Sequence, residues 1–476
     1  MGELRHIAVV GGGISGLAAA HRITELRPDI QITLFEASAR LGGVLQTERR
    51  DGFLIEHSAD NFITNVPWGI DLCRRLGLGS DLLGTDPERR KAYVVSHGRL
   101  EPVPEGFVLM MPSKMWPMVT TPILSVAGKL RMVGEFFIPP RVEKGDESLE
   151  SFVVRRFGQE VFDRLVQPLI GGIYTADPAK LSMQATLPRF LAMESEHGSI
   201  IRGAQQQKSP GESESSGARY GMFVAPRDGM DSIIGALAKR LPSGSIRLSS
   251  RIEKLERRQA GGWRVQPGDS SAPVDADAVI VALPAPKAAA LLDPVDGELS
   301  GLIGRIPYAG ASILVSAYRK SQIKHPLDGF GFVVPAVERR RILATSFSSV
   351  KFPGRAPDDC VVLRTFVGGA LQPEMTELSD ASLKSIIGDE LKSLLGITDP
   401  PLWSEVVRWN GAMPQYHVGH VDLVAKIRAR VAAISDFELC GNAYDGVGVP
   451  VCIHSAELAV ERILGIEAKK SANAAH

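Results

Sequence analysis

The sequence predicts a mixed fold in which a Rossmann-like α/β sheet is joined to an α+β part. Three observations support this prediction. Apolar residues 7–10 run into a glycine turn at 11–16 and then into an alanine-rich helix. A second pattern of strand, glycine turn and helix spans residues 437–464. Between these patterns, β-branched and aromatic residues recur at 312–367 in short alternating runs, which are typical of an antiparallel sheet.

Composition and charge exclude several classes of protein. The chain has 54 basic and 54 acidic residues, so no net charge attracts nucleic acid. Its 44% hydrophobic content is ordinary for a globular chain. The sequence contains no run of about 20 uncharged apolar residues, so it predicts no membrane-spanning helix. The first residues lead into a strand rather than a signal peptide, which predicts a cytoplasmic location, with the cytosolic face of a membrane as the alternative. The sequence leaves the oligomeric state open, a homodimer included.

The cysteine and histidine patterns predict no metal site. Four cysteines are scattered without a C-x-x-C pair and without a histidine at ligand spacing. They are Cys73, Cys360, Cys440 and Cys452. His417 and His420 are three residues apart, but a glycine lies between them and no third ligand accompanies them. We therefore expect reduced thiols and no bound metal.

The glycine turn after the first strand predicts a dinucleotide site. Gly11 makes the turn, Gly13 lets backbone N–H groups approach a pyrophosphate, and Gly16 lets the helix contact the strand. Glu36 follows the second predicted strand, residues 31–35, where its carboxylate can accept both ribose hydroxyls and would repel a 2′-phosphate. NADP is therefore disfavoured. The predicted binding positions are Gly11, Gly12, Gly13, Ile14, Ser15, Gly16 and Glu36.

Two further glycine turns favour FAD over a nicotinamide cofactor. Residues 37–44 contain Gly42 and Gly43, and a second close backbone approach suits the ribityl and isoalloxazine parts of FAD. Residues 441–449 form a third turn, in which Asn442 and several N–H groups can face the flavin. A helix beginning there would stabilise the negative charge of reduced flavin. The predicted contacts of the second turn are Ala37, Arg40, Gly43 and Val44.

The rest of the chain predicts a discontinuous domain organisation. Residues 106–205 are predicted to be helical, and within them apolar residues over 147–169 recur near helical spacing. Strands at 246–248, 263–265 and 278–282 are expected in one sheet. The predicted division is an FAD-binding domain at 1–90, 221–295 and 405–476, a substrate-binding domain at 91–105 and 296–404, a helical, membrane-contacting domain at 106–205, and a polar, flexible loop at 206–220.

Several motifs spread over the chain resemble those of one flavoprotein family. They are GGGISGL at 11–17, GGIYTADP at 171–178, DGFGFVVP at 328–335, FVGG at 366–369 and GNAYDGVGV at 441–449. With them, the chain resembles the oxygen-dependent protoporphyrinogen oxidases, a family that includes coproporphyrinogen III oxidases. The first and last motifs fit any amine-oxidase-like flavoprotein, whereas the three between them are specific to this family.

The resemblance implies an amine-oxidase-like fold with an FAD-binding domain, an antiparallel-sheet substrate domain and a helical, membrane-associating domain. It implies non-covalent FAD and the six-electron oxidation of protoporphyrinogen IX to protoporphyrin IX in haem biosynthesis, with O2 reduced to H2O2. One alternative is the oxidation of coproporphyrinogen III to coproporphyrin III, and another is an amine oxidase or a carotenoid desaturase. Hydride passes to flavin N5 without a strong base, so no catalytic side chain is assigned. The expected partners are a porphyrinogen and O2.

Residue by residue, the resemblance assigns further positions. The flavin positions are Val44, Ser58, Ala59, Asp60, Asn61, Ile252, Asn442, Val447, Gly448 and Val449. Gly172 matches the glycine whose carbonyl faces the pyrrole N–H groups of the substrate. Two places depart from the family pattern. Ser58 and Ala59 replace a common Gly-Pro pair, and Ala92 stands where many members have an arginine that pairs with a propionate. The sequence therefore does not identify the group that binds the propionates.

Overall fold

A parallel sheet, a seven-stranded mixed sheet and a helical part make up the fold. The structure is a computed structural model, which describes residues 4–143, 145–206, 222–269 and 271–466. Apart from Gln206, the segment 206–220 that the sequence predicts as a flexible loop lies outside the described residues.

The strands of the described residues are, in chain order, β1 (His6–Val10), β2 (Gln31–Phe35), β3 (Thr47–Arg50), β4 (Phe53–Glu56), β5 (Phe62–Ile63), β6 (Leu82–Gly84), β7 (Tyr93–Ser96), β8 (Arg99–Pro102), β9 (Phe107–Val108), β10 (Met111–Pro112), β11 (Phe223–Pro226), β12 (Ile246–Arg247), β13 (Ile252–Arg257), β14 (Trp263–Pro267), β15 (Val274–Ala276), β16 (Ala278–Val281), β17 (Tyr308–Arg319), β18 (Gly331–Val333), β19 (Ala344–Phe347), β20 (Cys360–Gly368), β21 (Trp403–Pro414) and β22 (Phe437–Leu439). The α-helices are α1 (Ile14–Leu26), α2 (Trp68–Arg75), α3 (Met115–Thr120), α4 (Val126–Val133), α5 (Leu149–Phe157), α6 (Gln159–Val161), α7 (Gln167–Tyr174), α8 (Met183–Thr186), α9 (Pro188–His197), α10 (Ile200–Gln206), α11 (Asp231–Arg240), α12 (Ala285–Leu292), α13 (Gly297–Gly304), α14 (Ser348–Lys351), α15 (Asp380–Leu395), α16 (His420–Ala432) and α17 (Val449–Ile463).

The five-stranded sheet is parallel throughout, in the order β12-β2-β1-β16-β22. Along β1, Ile7 and Val9 face a helical layer that contains α1 and α17. Ala8 and Val10 face the opposite layer, which contains α12 and α13. Burial on both faces explains why the strands read as continuous apolar runs. The Rossmann-like sheet predicted from the sequence is confirmed.

One prediction about this sheet is wrong. Residues 246–248, 263–265 and 278–282 are predicted from the sequence to share a single sheet. β12 and β16 do belong to the parallel sheet, but β14 pairs with β13 and β15 in a separate antiparallel sheet. Alternate residues of β14 are exposed, as in a half-covered antiparallel strand, whereas all four residues of β16 are buried. The parallel strand β16 is therefore buried on both faces, whereas the antiparallel strand β14 is buried on one face only.

The second large sheet has the order β21-β17-β20-β19-β18-β7-β8. All its neighbouring pairs are antiparallel except β18 with β7. The long strands β17 and β20 form its centre, and α15 contributes Leu383 and Ile387 to the core on one face. β21 lies in this sheet although the predicted division starts the last FAD-binding segment at residue 405. The domain division as a whole stays a prediction.

The helical part has its own hydrophobic core, formed by residues such as Phe152, Phe157, Leu165 and Phe190. The stretch 147–169, predicted to lie within a helical region, is divided into several helices, because Gly158 ends α5 with a φ of +93° and a π-helical turn at Phe162–Val166 precedes α7. In the described part of the chain, none of the helices has both the length and the apolarity that a bilayer crossing needs.

Candidate active site

The first glycine turn requires glycine at two positions for steric reasons. Gly11 has a φ of +112°, and a Cβ there would lie 2.5 Å from the carbonyl oxygen of Ala282. A Cβ on Gly16 would overlap the carbonyl oxygen of Gly11. The turn joins the buried end of β1 to α1, so the start of α1 lies at the carboxyl edge of the parallel sheet. This is the edge at which α/β sheets bind ligands.

Glu36 lies beside this turn at the end of β2. One carboxylate oxygen accepts a 2.8 Å hydrogen bond from the Gly12 N–H, and the other accepts one of 2.8 Å from the Ser38 N–H. A carboxylate has about four acceptor positions, so two remain for hydroxyl groups of a ligand. The backbone of Ser250, two residues before Ile252, donates to the Glu36 carbonyl and brings the start of β13 to the same place.

The second glycine turn faces the first. The Gly42 N–H donates to the Gly12 carbonyl, and a Cβ on Gly43 would lie 3.3 Å from the Cα of Gly13. The Arg40 guanidinium donates to the carbonyls of Leu41, Gly43 and Leu45. Arg40 thus stabilises the turn itself. With side chains absent at both glycines, backbone of the two turns can enclose an extended ligand.

The third glycine turn lies next to the first one. A Cβ on Gly441, where φ is +128°, would be 4.0 Å from the hydroxyl oxygen of Ser15. The Tyr416 hydroxyl donates a short hydrogen bond to the Asn442 carbonyl. α17 begins directly after Gly448, so its first N–H groups point out of the helix at this edge. The structure therefore brings all three predicted turns together, and they suit an elongated dinucleotide.

The loop 58–61 is held by the seven-stranded sheet. Arg364 of β20 donates a short hydrogen bond to the Ser58 carbonyl. Arg355 donates to the Asp60 carbonyl over 3.0 Å, and Trp409 of β21 donates to the His57 carbonyl over 2.7 Å. Residues distant in the sequence therefore hold this loop against the seven-stranded sheet.

A buried cluster of charges surrounds this loop. The Asp60 carboxylate lies 3.5 Å from Arg364 and 3.6 Å from Lys351, and Arg355 lies 3.6 Å from Glu56. Burial alone would raise the pKa of Asp60, but the charges of Lys351, Arg364 and Arg355 outweigh it and hold that pKa well below the usual range. Burial raises the pKa of Glu56. Three cations face two carboxylates, so positive charge is in excess.

These cations are not among the residues predicted from the sequence to form the site. Arg364 is 2% exposed, and its Nε has no hydrogen-bond partner among the described residues. The signal for it was present, because a charged residue stands in the mostly apolar run of β20. Lys351 and Arg355 do not stand within apolar runs, so the local sequence gave no comparable signal for them.

A cleft lies between α7 and the seven-stranded sheet. It is lined by Gln167, Pro168, Gly171, Gly172, Thr175, Ala176, Val334, Leu343, Gly368, Gly369, Ala370 and Leu371. The predicted substrate residue Gly172 is exposed there, and a Cβ on it would meet only the Val333 side chain, at 3.8 Å. The lining residues carry no charge. The cleft encloses about 280 Å³, less than the roughly 300–1,000 Å³ of typical small-molecule pockets, so in this structure it is a small uncharged recess beside Gly172.

The cations near Ala92 have partners outside this cleft. The Lys91 ammonium lies 3.2 Å from the Asp328 carboxylate, which also accepts from the Tyr93 hydroxyl. Arg90 donates to the Thr85 carbonyl, and Arg89 lies 3.6 Å from Asp86. None of the three lines the cleft.

One group of side chains has the composition of a metal site. Ligand atoms of Glu48, His57 and Glu405 lie within 4.8 Å of one another. Arg50, however, already bridges both carboxylates, at 2.6 Å to each.

His420 is buried, stacks on Tyr416 with ring centroids 4.2 Å apart, and lies 3.2 Å from the Tyr444 carbonyl through its Nε2. The ring of His420 is thus enclosed by protein groups.

Comparison with known proteins agrees with this geometry. The family described as flavin containing amine oxidoreductase matches residues 14–464. The chain belongs to the flavin-containing amine oxidoreductases. It is therefore a flavoprotein oxidoreductase, and the amine-oxidase-like fold predicted from the sequence is confirmed.

Similar proteins extend over almost the whole chain. A coproporphyrinogen III oxidase of Bacillus subtilis (strain 168) is 32% identical, over 97% of this chain and 98% of that protein. The chloroplastic protoporphyrinogen oxidase 1 of Arabidopsis thaliana is 30% identical, over 95% of this chain and 87% of that protein. A crystal structure of a proposed protoporphyrinogen oxidase from Exiguobacterium sp. 255-15 superposes with a TM-score of 0.86 at 30% identity, covering 96% of this chain and 98% of that one. The resemblance to this group of oxidases is confirmed.

Proposed function

We propose that this chain oxidises a porphyrinogen to the corresponding porphyrin in haem biosynthesis, with non-covalently bound FAD and molecular oxygen. The observation that carries the proposal is the uncharged cleft at Gly172, within a chain that is similar from end to end to porphyrinogen oxidases. The reaction converts one porphyrinogen and three O2 into one porphyrin and three H2O2. Bound flavin would accept two electrons at a time and deliver them to O2.

The residues present suit FAD as the flavin. Glu36 retains free acceptor positions for the ribose hydroxyls, and backbone at Gly13 and Gly43 is open to a pyrophosphate. The start of α17 would favour negative charge on a reduced flavin. We expect purified protein to be yellow and to release FAD on acid denaturation. Flavin that stays attached to the precipitated chain would contradict non-covalent binding.

Protoporphyrinogen IX is the first candidate substrate, because it carries two propionates and the cleft lining carries no cation. Coproporphyrinogen III, with four propionates, is the second candidate, and the Bacillus subtilis relative favours it. Side-by-side turnover of both porphyrinogens, followed by porphyrin fluorescence and peroxide release, tests the proposal. Oxidation of amines without oxidation of either porphyrinogen would overturn it in favour of an amine oxidase.

The helical part presents an apolar face to solvent. Val126, Leu130, Val133 and Phe137 recur at helical spacing and are 74%, 69%, 37% and 85% exposed. Trp116, on α3 of the same helical part, is 76% exposed. Exposed apolar surface of this kind marks an interaction site. We propose that this face rests on the cytosolic surface of a membrane, with the aromatic rings in the interface.

Vesicle binding tests this membrane contact. We expect the protein to sediment with vesicles of phosphatidylethanolamine and phosphatidylglycerol. The double substitution Leu130→Ser and Phe137→Ser should reduce the bound fraction at least fivefold, because it removes two exposed apolar groups. Leu402→Ser, at a residue that is 46% exposed and outside this face, is the control. Equal sedimentation of both variants and the wild type would contradict the proposal.

A further inference from the structure

Gln167 is a buried side chain whose amide is bonded to protein at one end only. It is 7% exposed and stands at the start of α7. Its Oε1 accepts a 2.9 Å hydrogen bond from the Ala336 N–H. Because a backbone N–H can only donate, this bond fixes which end of the amide carries the oxygen. The Nε2 at the other end has no hydrogen bond to any of the residues that the structure describes.

The free end of this amide lies at the cleft beside Gly172. Gln167 and Gly171 both line the cleft, and the Nε2 is 3.3 Å from the place that a Cβ on Gly171 would take. Glycine leaves that place empty. The Nε2 is not among the unpartnered atoms that are shielded from solvent, so a molecule in the cleft can reach it. The amide therefore presents two N–H donors to this molecule, while its oxygen is directed at Ala336.

The size of the cleft limits what can enter it. Its volume of about 280 Å³ is below the range of pockets that enclose a whole drug-sized ligand. A tetrapyrrole with all its substituents therefore does not fit inside, whereas one of its side chains does. Leu371 lines the cleft and is 41% exposed, so it offers apolar surface to the rings of a molecule that lies over the opening.

We propose that the cleft is a subsite for one propionate of the substrate, whose carboxylate accepts hydrogen bonds from the Gln167 amide. This inference rests on the proposed porphyrinogen oxidation. All four nitrogens of a porphyrinogen carry hydrogen and act as donors, and its hydrocarbon substituents are neither good donors nor good acceptors. The propionate oxygens are therefore the acceptors that the Gln167 N–H groups can bind. A hydrogen bond to a charged oxygen is also stronger than one to a neutral oxygen.

A neutral donor is consistent with the surroundings of this subsite. The residues that line the cleft carry no charge, and Lys91, Arg90 and Arg89 have partners outside it. Gly172 is exposed in the cleft, so a carboxylate bound there keeps part of its hydration and does not require a buried counter-ion. Gln167 is thus a specificity residue for a substrate side chain and takes no part in the transfer of electrons.

The variant Gln167→Glu tests the donor directly. It keeps the length of the side chain and an oxygen for the Ala336 N–H, but replaces both N–H donors by a negatively charged acceptor. The measurement is the ratio of kcat/KM for the porphyrinogen with free propionates to kcat/KM for its methyl ester, in one detergent and at about pH 8, where a glutamate is ionised. We expect this ratio to fall at least tenfold, because the carboxylate is repelled whereas the ester is not.

Two further variants separate this effect from others. Gln167→Met removes the donors without adding charge and should lower the ratio about fivefold. Gln184→Glu, which places the same charge at an exposed position of α8 outside the cleft, is the matched control and should keep the wild-type ratio. Both substrates are measured on one preparation, so the ratio does not depend on the fraction of folded enzyme. Flavin content and the thermal unfolding midpoint verify folding.

An unchanged ratio in Gln167→Glu or Gln167→Met, with porphyrinogen turnover by the wild type, would overturn the inference and leave the proposed function in place. Equal falls in Gln167→Glu and Gln184→Glu would also overturn it, because general charge repulsion would then explain the effect. Absence of porphyrinogen oxidation by the wild type would instead overturn the proposed function, and with it this inference.

Discussion

Individual glycines at this site have opposite physical roles. At Gly16 a side chain is excluded by the protein, because a Cβ would overlap the Gly11 carbonyl. At Gly172 the protein leaves room for a Cβ, which would make only an ordinary contact with Val333. Absence of a side chain at Gly172 is therefore not required for folding. The open space is available to a ligand instead.

Gly172→Ala tests this distinction at the level of one residue. We expect the variant to fold with an equal or slightly higher unfolding midpoint, since alanine is favoured over glycine in a helix by roughly 0.5–1 kcal/mol. The KM for the porphyrinogen should rise at least tenfold, because the methyl group enters the cleft. Gly388→Ala in α15, where a Cβ has open space, is the matched control and should leave KM unchanged. An unaltered KM in Gly172→Ala would place the substrate elsewhere.

At the scale of elements, the three glycine turns act as one unit because strands of a parallel sheet deliver them to the same edge. β1, β2 and β22 each end there, and the turns contact one another through Gly12, Gly42 and Ser15. Within the first turn, Gly13 has an extended backbone with a φ of −73°, and the nearest atom to a Cβ there is 4.0 Å away. A side chain at Gly13 is therefore expected to affect ligand binding, whereas a side chain at Gly16 is expected to affect folding.

The variants Gly13→Ala and Gly16→Ala should fail in different ways. Gly13→Ala should fold but bind FAD at least tenfold more weakly, because its methyl group lies where backbone N–H groups approach the pyrophosphate. Gly16→Ala should lose several kcal/mol of stability, because the turn must open to relieve the overlap. Denaturant unfolding and titration of the apoprotein with FAD measure the two effects. Normal FAD affinity in Gly13→Ala would contradict the assigned pyrophosphate position.

At the scale of the whole molecule, buried charges join the seven-stranded sheet to the segment that follows β4. Arg364 on β20 belongs to the mixed sheet, whereas Asp60 lies in a loop that follows the glycine-turn region. Several atoms of this cluster, including an Asp60 oxygen, have no hydrogen-bond partner among the described residues. Its stability therefore depends on charge attraction within a region of low polarity.

This cluster predicts a dependence of stability on pH. Because folding lowers the pKa of Asp60, its carboxylate stabilises the fold at pH values above the unfolded pKa of about 3.9, and this contribution is lost as the pH falls below that value. Asp60→Asn should lower the free energy of unfolding at pH 7 by about 3 kcal/mol, because it leaves buried cations unpaired. Its unfolding should also depend less on pH between about 5 and 2 than that of the wild type.

Chemical denaturation over this pH range, monitored by tryptophan fluorescence, provides the measurement. Asp389→Asn, at an exposed position on α15, is the control and should resemble the wild type at every pH. A cluster without energetic importance would give both variants the same profile.

The sequence by itself determined the parallel sheet, its glycine turns and the position of Glu36 at the end of β2. Each of these depends on local chemistry, namely a required φ, a short apolar run or a fixed spacing. Only the tertiary structure decided that β14 pairs with β13 and β15 outside the parallel sheet, and that Arg364 reaches Ser58. Contacts between residues far apart in the chain have no local signature, because they arise from how whole sheets and helices pack together.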